Sequence, residues 1–124
     1  MATCLIVDDS ESMREVAAEL LTGLGHEPLE AGTADAALAR CEGGVDAVLL
    51  DWDLPALGAL DFLRGAASLA RRPLIILCAT ENDARQFGLA RAAGAGFHLL
   101  KPFDRDSLAE VLSEVGLSDG QAVA

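Results

Sequence analysis

Three short apolar runs in this chain each end on charge. Asp8 and Asp9 follow Cys4-Leu5-Ile6-Val7, Asp51 follows Ala47-Val48-Leu49-Leu50, and Lys101-Pro102 follows Phe97-His98-Leu99-Leu100. A short apolar run closed by a charge reads as a buried strand that delivers the charge at the carboxyl edge of a sheet. If the three strands are parallel neighbours, three carboxylates and one ammonium converge at the edge where an open α/β sheet binds its ligand. Carboxylates held so close repel one another and raise each other's pKa unless a hard cation neutralises them. Mg²⁺ suits such an all-oxygen set, because it takes a few carboxylates and keeps several waters.

The remaining sequence must supply the scaffold that brings these groups together. A strand is predicted over 3–7 and a helix over 11–24, with Met13, Val16, Leu20 and Leu24 on its inner face. Ser12-Met13-Arg14-Glu15 fits a capping box, and Gly25 fits a C-terminal stop. A strand over 27–30 carries Pro28, which marks an edge. A helix runs from the Thr33 cap to position 41, a strand ends at Asp51, and a loop through Pro55 leads to a helix over 60–69. A strand over 74–78, a helix over 83–93, a strand over 97–100 and a helix from the Asp104 cap to position 115 follow. Five βα units predict a parallel sheet covered by helices on both faces, in a single domain over 1–117 with a frayed tail over 118–124.

Composition narrows the function classes. With 124 residues, 52% of them hydrophobic, the chain can fill one core. A net charge of −11 argues against nucleic acid or an anionic membrane as partner, since both would repel the chain. Cys4, Cys41 and Cys78 are scattered through apolar stretches and read as reduced core thiols. The first apolar run stops at Asp8, so neither a signal peptide nor a membrane span is expected, and the expected location is the cytoplasm.

Four ordered motifs, Leu-Ile-Val-Asp-Asp, Leu-Leu-Asp-Trp-Asp-Leu-Pro, Ala-Ala-Gly-Ala and Lys-Pro-Phe-Asp, resemble those of the receiver domain of bacterial two-component response regulators. The stand-alone chemotaxis type is the most similar, and the resemblance spans 3–115. It implies a flavodoxin-like, doubly wound five-stranded sheet of order 2-1-3-4-5. It also implies that Asp9 and Asp51 ligate Mg²⁺ directly, that Asp8 acts mainly through bound water, and that the backbone carbonyl of Asp53 completes the protein's share. Asp51 would accept a phosphoryl group from a histidine kinase or phosphotransfer protein, and Lys101 would bind the phosphoryl oxygens. Such a chain modifies only itself and is not an enzyme in the ordinary sense. Its target protein would dock on the face of helix four, strand five and helix five, where Arg85, Arg91, His98 and Arg105 form a basic set.

Plainer readings compete with each of these assignments. Asp9 or Ser10 could cap the first helix, Asp51 could be a turn residue, and Lys101 a solvated charge. Trp52 reads as packing at the site's edge. Asp51-Trp52-Asp53 resembles the paired aspartates of haloacid-dehalogenase-type phosphatases, but those follow a first strand and these follow a third.

The departures concern the switch. Receivers carry a Ser or Thr at the end of strand four, and the best register puts Ala79 there; a slip of one residue would put Thr80 there. Receivers also carry a Tyr or Phe in strand five, where this chain has His98. Gly58-Ala59 stands where Asp-Gly is common. Two functions follow: a single-domain phosphoryl-accepting regulator with an atypical switch, or a pseudo-receiver that acts as an interaction module without phosphorylation.

Overall fold

The computed structural model describes residues 1–117. Its elements are β1 (Thr3–Val7), α1 (Glu11–Gly23), β2 (Glu27–Ala31), α2 (Ala34–Glu42) and β3 (Ala47–Asp51). A 3-10 turn (Pro55–Leu57) leads to α3 (Gly58–Ala66), then β4 (Leu74–Ala79), α4 (Ala84–Ala92), β5 (Phe97–Leu100) and α5 (Arg105–Glu114). The strands form one sheet in the order β2-β1-β3-β4-β5, and every adjacent pair is parallel. Fold class and strand order are as expected. The expected tail over 118–124 lies outside the described residues. Among the described residues, no helix is long and apolar enough to cross a membrane.

Strand alternation builds two cores, because successive side chains leave a strand on opposite faces. Leu5, Val7, Val48, Leu50 and Leu77 pack under α2, α3 and α4. Cys4, Ile6, Leu49, Ile76 and Cys78 pack under α1 and α5. All five residues of β3 are buried, as a central strand covered on both faces requires. All three cysteines are free and buried. Pro28 sits in edge strand β2, where a missing N–H costs no ladder bond.

Several local expectations shift. The α1 cap is Ser10, whose Oγ accepts from Met13 N, rather than a box opening at Ser12. That start turns the helix so that Ala17, Leu21 and Leu24 are buried, while Val16 is 50% exposed. Both residue sets satisfy helical spacing, but the small Ala17 lets the helix approach the sheet. Gly25 does end the segment, at φ 86°. Helix α3 covers Gly58–Ala66 rather than 60–69, and Gly65 faces Leu38 so closely that a Cβ there would lie 2.5 Å from its Cδ1. Strand β4 runs one residue further than expected, through Ala79. At α5, Asp104 caps as expected, its side chain accepting from Ser107 N while the Ser107 hydroxyl accepts from Asp104 N.

Candidate metal and phosphoryl site

Strands β1 and β3 are neighbours, with Val7 opposite Leu50, so Asp8 and Asp51 emerge side by side at the carboxyl edge. Asp8, Asp9 and Asp51 each offer a carboxylate oxygen, and these oxygens lie within 4.8 Å of one another. Asp8 and Asp51 are buried, while Asp9 is exposed. An all-oxygen donor set of this kind fits Mg²⁺, a hard cation that retains waters on its open side.

Lys101 crosses from the end of β5 to join them. Its Nζ lies 2.8 Å from Asp8 Oδ2 and 3.1 Å from Asp51 Oδ1. The backbone fixes that reach, because Lys101 N donates to the Ala79 carbonyl at 2.8 Å, extending the β4–β5 ladder past Leu100. The peptide between Lys101 and Pro102 is cis. Burial alone would lower the lysine pKa, but hydrogen bonds to Asp8 and Asp51 outweigh it and hold the ammonium above its ordinary value. Burial pushes Asp51 upward, against the pull of the Asp53 amide and Lys101. One ammonium thus serves two buried carboxylates.

Each carboxylate is also aimed by its own loop. Ser10 N donates to Asp8 Oδ1 at 2.9 Å, and Asp53 N donates to Asp51 Oδ1 at 3.1 Å. No hydrogen bond reaches Asp51 Oδ2 among the described residues. The Asp53 side chain is exposed, and the contact it makes here is that of its backbone amide with Asp51. Beyond it, Ala56 and Leu57 adopt left-handed backbone at φ 55° and 59°. This is strained for residues with a Cβ, by about 1–2 kcal/mol each. Gly58 has an ordinary φ of −57°, and a Cβ there would sit 3.0 Å from that of Leu54. The departure at Gly58-Ala59 is thus accommodated by close packing and by strain at the two preceding residues.

Arg14 belongs to the site although its spacing carried no motif. Its Nη1 donates to the Asp8 carbonyl at 2.7 Å and its Nε to Glu30 Oε1 at 3.1 Å. The guanidinium thereby ties the turn bearing Asp8 and Asp9 to the end of β2. Only its place one turn after Ser10 on α1 hinted at this.

Of the positions expected to form the switch, Ala79 adjoins Lys101 through its carbonyl. Ala79 ends β4 with 1% exposure, and Thr80 lies beyond the strand, exposed. His98 is exposed on β5 but stacks on Phe87 of α4, with ring centroids 4.3 Å apart and an interplanar angle of 16°. It is thus more than a bare edge histidine. Trp52 packs at the edge of the core. Cys78 lies below, its thiol pushed up to about 12 by burial, which keeps it protonated and inert. Arg85 and Arg91 are exposed on α4 as expected, but Arg105 is a correction: its Nη2 donates to the Gly23 carbonyl at 3.3 Å and so bridges α5 to α1.

The family model of the response regulator receiver domain matches residues 4–113. A chemotaxis protein CheY homolog of Campylobacter jejuni is 31% identical over 127 residues, covering 97% of each chain. Chemotaxis protein CheY1 of Helicobacter pylori is 33% identical over 116 residues, covering 90% of this chain and 94% of its own. Among solved structures, Vibrio cholerae chemotaxis protein CheY4 superposes with a TM-score of 0.85 at 29% identity, covering 93% of this chain and 98% of that one.

Proposed function

The chain belongs to the response regulator receiver domain family, and from that premise we propose that it accepts a phosphoryl group on Asp51 and signals through protein contacts in the cytoplasm. The observation that carries the reading is the convergence of Asp8, Asp9, Asp51 and Lys101 from three separate strand ends. The donor is a phosphohistidine of a sensor kinase or phosphotransfer protein. Asp51 Oδ2, which no hydrogen bond reaches among the described residues, attacks phosphorus. The P–N bond breaks, and its electron pair stays on the imidazole nitrogen.

This chain's residues act by positioning and charge, which is what phosphoryl transfer requires. The Asp53 amide holds Oδ1 and leaves Oδ2 turned toward the donor. Lys101 follows the transferred oxygens, exchanging part of its contact with Asp51 for them. Asp9 and Asp51 would hold Mg²⁺, with Asp8 and the backbone carbonyl of Asp53 contributing to the same site. When bound, Mg²⁺ neutralises the carboxylates and stabilises negative charge on the phosphoryl oxygens.

The switch is atypical. Ala79 offers a methyl group where a hydroxyl would bond the phosphoryl group, and His98 stands where a Tyr or Phe would report the change. These two residues favour the second reading, a pseudo-receiver that binds partners without phosphorylation. Intact mass after incubation with Mg²⁺ and a small phosphodonor separates the two. The parent is expected to gain one phosphoryl group and Asp51→Asn none. No gain in the parent supports the pseudo-receiver, and full labelling of Asp51→Asn overturns the acceptor.

A further inference from the structure

Beside the site, β5 and α5 enclose an open groove of about 440 Å³ whose lining includes Leu100, Asp104, Glu110, Val111 and Glu114. No lysine or arginine lines it. Of the basic set expected on this face, His98 lines the groove beside three acidic residues, while Arg85 and Arg91 lie on α4 and Arg105 turns toward α1. The groove carries the opposite charge.

Three features make it a receiving surface. Among the described residues, strand β5 is the last in the sheet and pairs only with β4, so its outer edge presents backbone groups with no strand partner. Leu100 is 40% exposed there, an apolar contact left open to solvent. Glu110 and Glu114 stand one turn apart on α5, where like charges repel, and neither enters an ion pair among the described residues. A cation laid between them relieves that repulsion.

We infer that the β5–α5 groove receives a basic segment of the target protein, with lysine or arginine facing Glu110 and Glu114 and an apolar side chain on Leu100. Charge complementarity selects this occupant: an acidic or neutral segment would leave the paired glutamates uncompensated. The inference rests on the receiver reading for the use of this face, and deepens it by naming the partner's chemistry.

The test titrates ¹⁵N-labelled protein with a short lysine-rich peptide carrying a single leucine, and with its glutamate-for-lysine counterpart. Phosphorylation competence is measured separately by intact mass, so that failure of the receiver reading registers there and failure of the groove registers in the titration. The lysine peptide is expected to shift amides of β5 and α5 saturably. The double variant Glu110→Gln, Glu114→Gln should bind about fivefold to tenfold more weakly, the size of two partly screened ion pairs. Glu11→Gln with Glu15→Gln, which removes the same two negative charges from α1, should leave binding unchanged. Shifts centred on the aspartate cluster, equal loss in both double variants, or no binding by the lysine peptide would overturn the proposal.

Discussion

Lys101 and Asp8 are 93 positions apart in sequence, yet the lysine ammonium donates to the aspartate carboxylate across 2.8 Å. Both side chains are mostly buried, at 13% and 8% exposure, so water does little to screen the pair. Asp51 shares the same ammonium at 3.1 Å. The lysine thus offsets one of the cluster's three negative charges.

Removing that ammonium exposes the cost of the cluster. Lys101→Met leaves Asp8 and Asp51 buried without a cation, and unpaired buried charge costs about 3 kcal/mol. Urea denaturation with a chelator should show this loss, and saturating Mg²⁺ should restore more stability to the variant than it adds to the parent. An unchanged midpoint would mean that solvent already screens the pair.

Mg²⁺ should stabilise the parent by mass action, by about 2.7 kcal/mol at a hundredfold excess over Kd. Asp9→Asn removes a carboxylate proposed as a direct ligand, at an exposed position. A tenfold rise in Kd removes about 1.4 kcal/mol of that effect. The metal-free variant should be no less stable than the parent, since one repulsive charge is gone. Calorimetry and thermal melts at several Mg²⁺ concentrations check both statements.

Ala79→Thr should strengthen the link between phosphorylation and β5. The position ends β4, and its carbonyl already holds Lys101 N, so a hydroxyl there acts on the strand that carries His98. A hydrogen bond to a charged acceptor is worth about 1.5–3 kcal/mol. With a phosphoryl mimic bound, His98 and Phe87 should show larger chemical-shift changes in Ala79→Thr than in the parent. Thr80→Ala should leave those changes as they are. Equal shifts in parent and Ala79→Thr would remove Ala79 from the switch.

Asp46 supplies a pH dependence unrelated to the site. The Thr3 amide at 2.8 Å, with further help from Arg71 at 2.6 Å, holds its carboxyl below the ordinary range. A depressed folded pKa stabilises the protein fully above the unfolded value, and the contribution disappears as pH falls through the folded pKa. Asp46→Asn should therefore cost about 1 kcal/mol near neutrality, a figure limited by the exposure of Arg71. The gap between parent and variant should close as the pH drops below about 4. Denaturation midpoints across that range measure it, and a constant gap would contradict the assignment.

Sequence alone determined the βα alternation, the parallel sheet and the four charges at the strand ends, while the strand order came from the family resemblance. Those features are local or periodic: a short apolar run, a helical spacing and a charge after a strand are all contained within a few neighbouring residues. The resemblance carried by the motifs supplied the rest of the expected site. What tertiary structure decided depends on which surfaces meet. Val16 and Ala17 both satisfy helical spacing, and only the approach of α1 to the sheet chose Ala17. Arg14 and Asp46 join elements distant in sequence, so no motif announced them. Arg105 looked like part of a basic face until its guanidinium turned to the end of α1, and the groove beside it proved acidic because α5 aims Glu110 and Glu114 there. Side-chain direction at a helix surface is set by packing between elements, which spacing along one element does not encode.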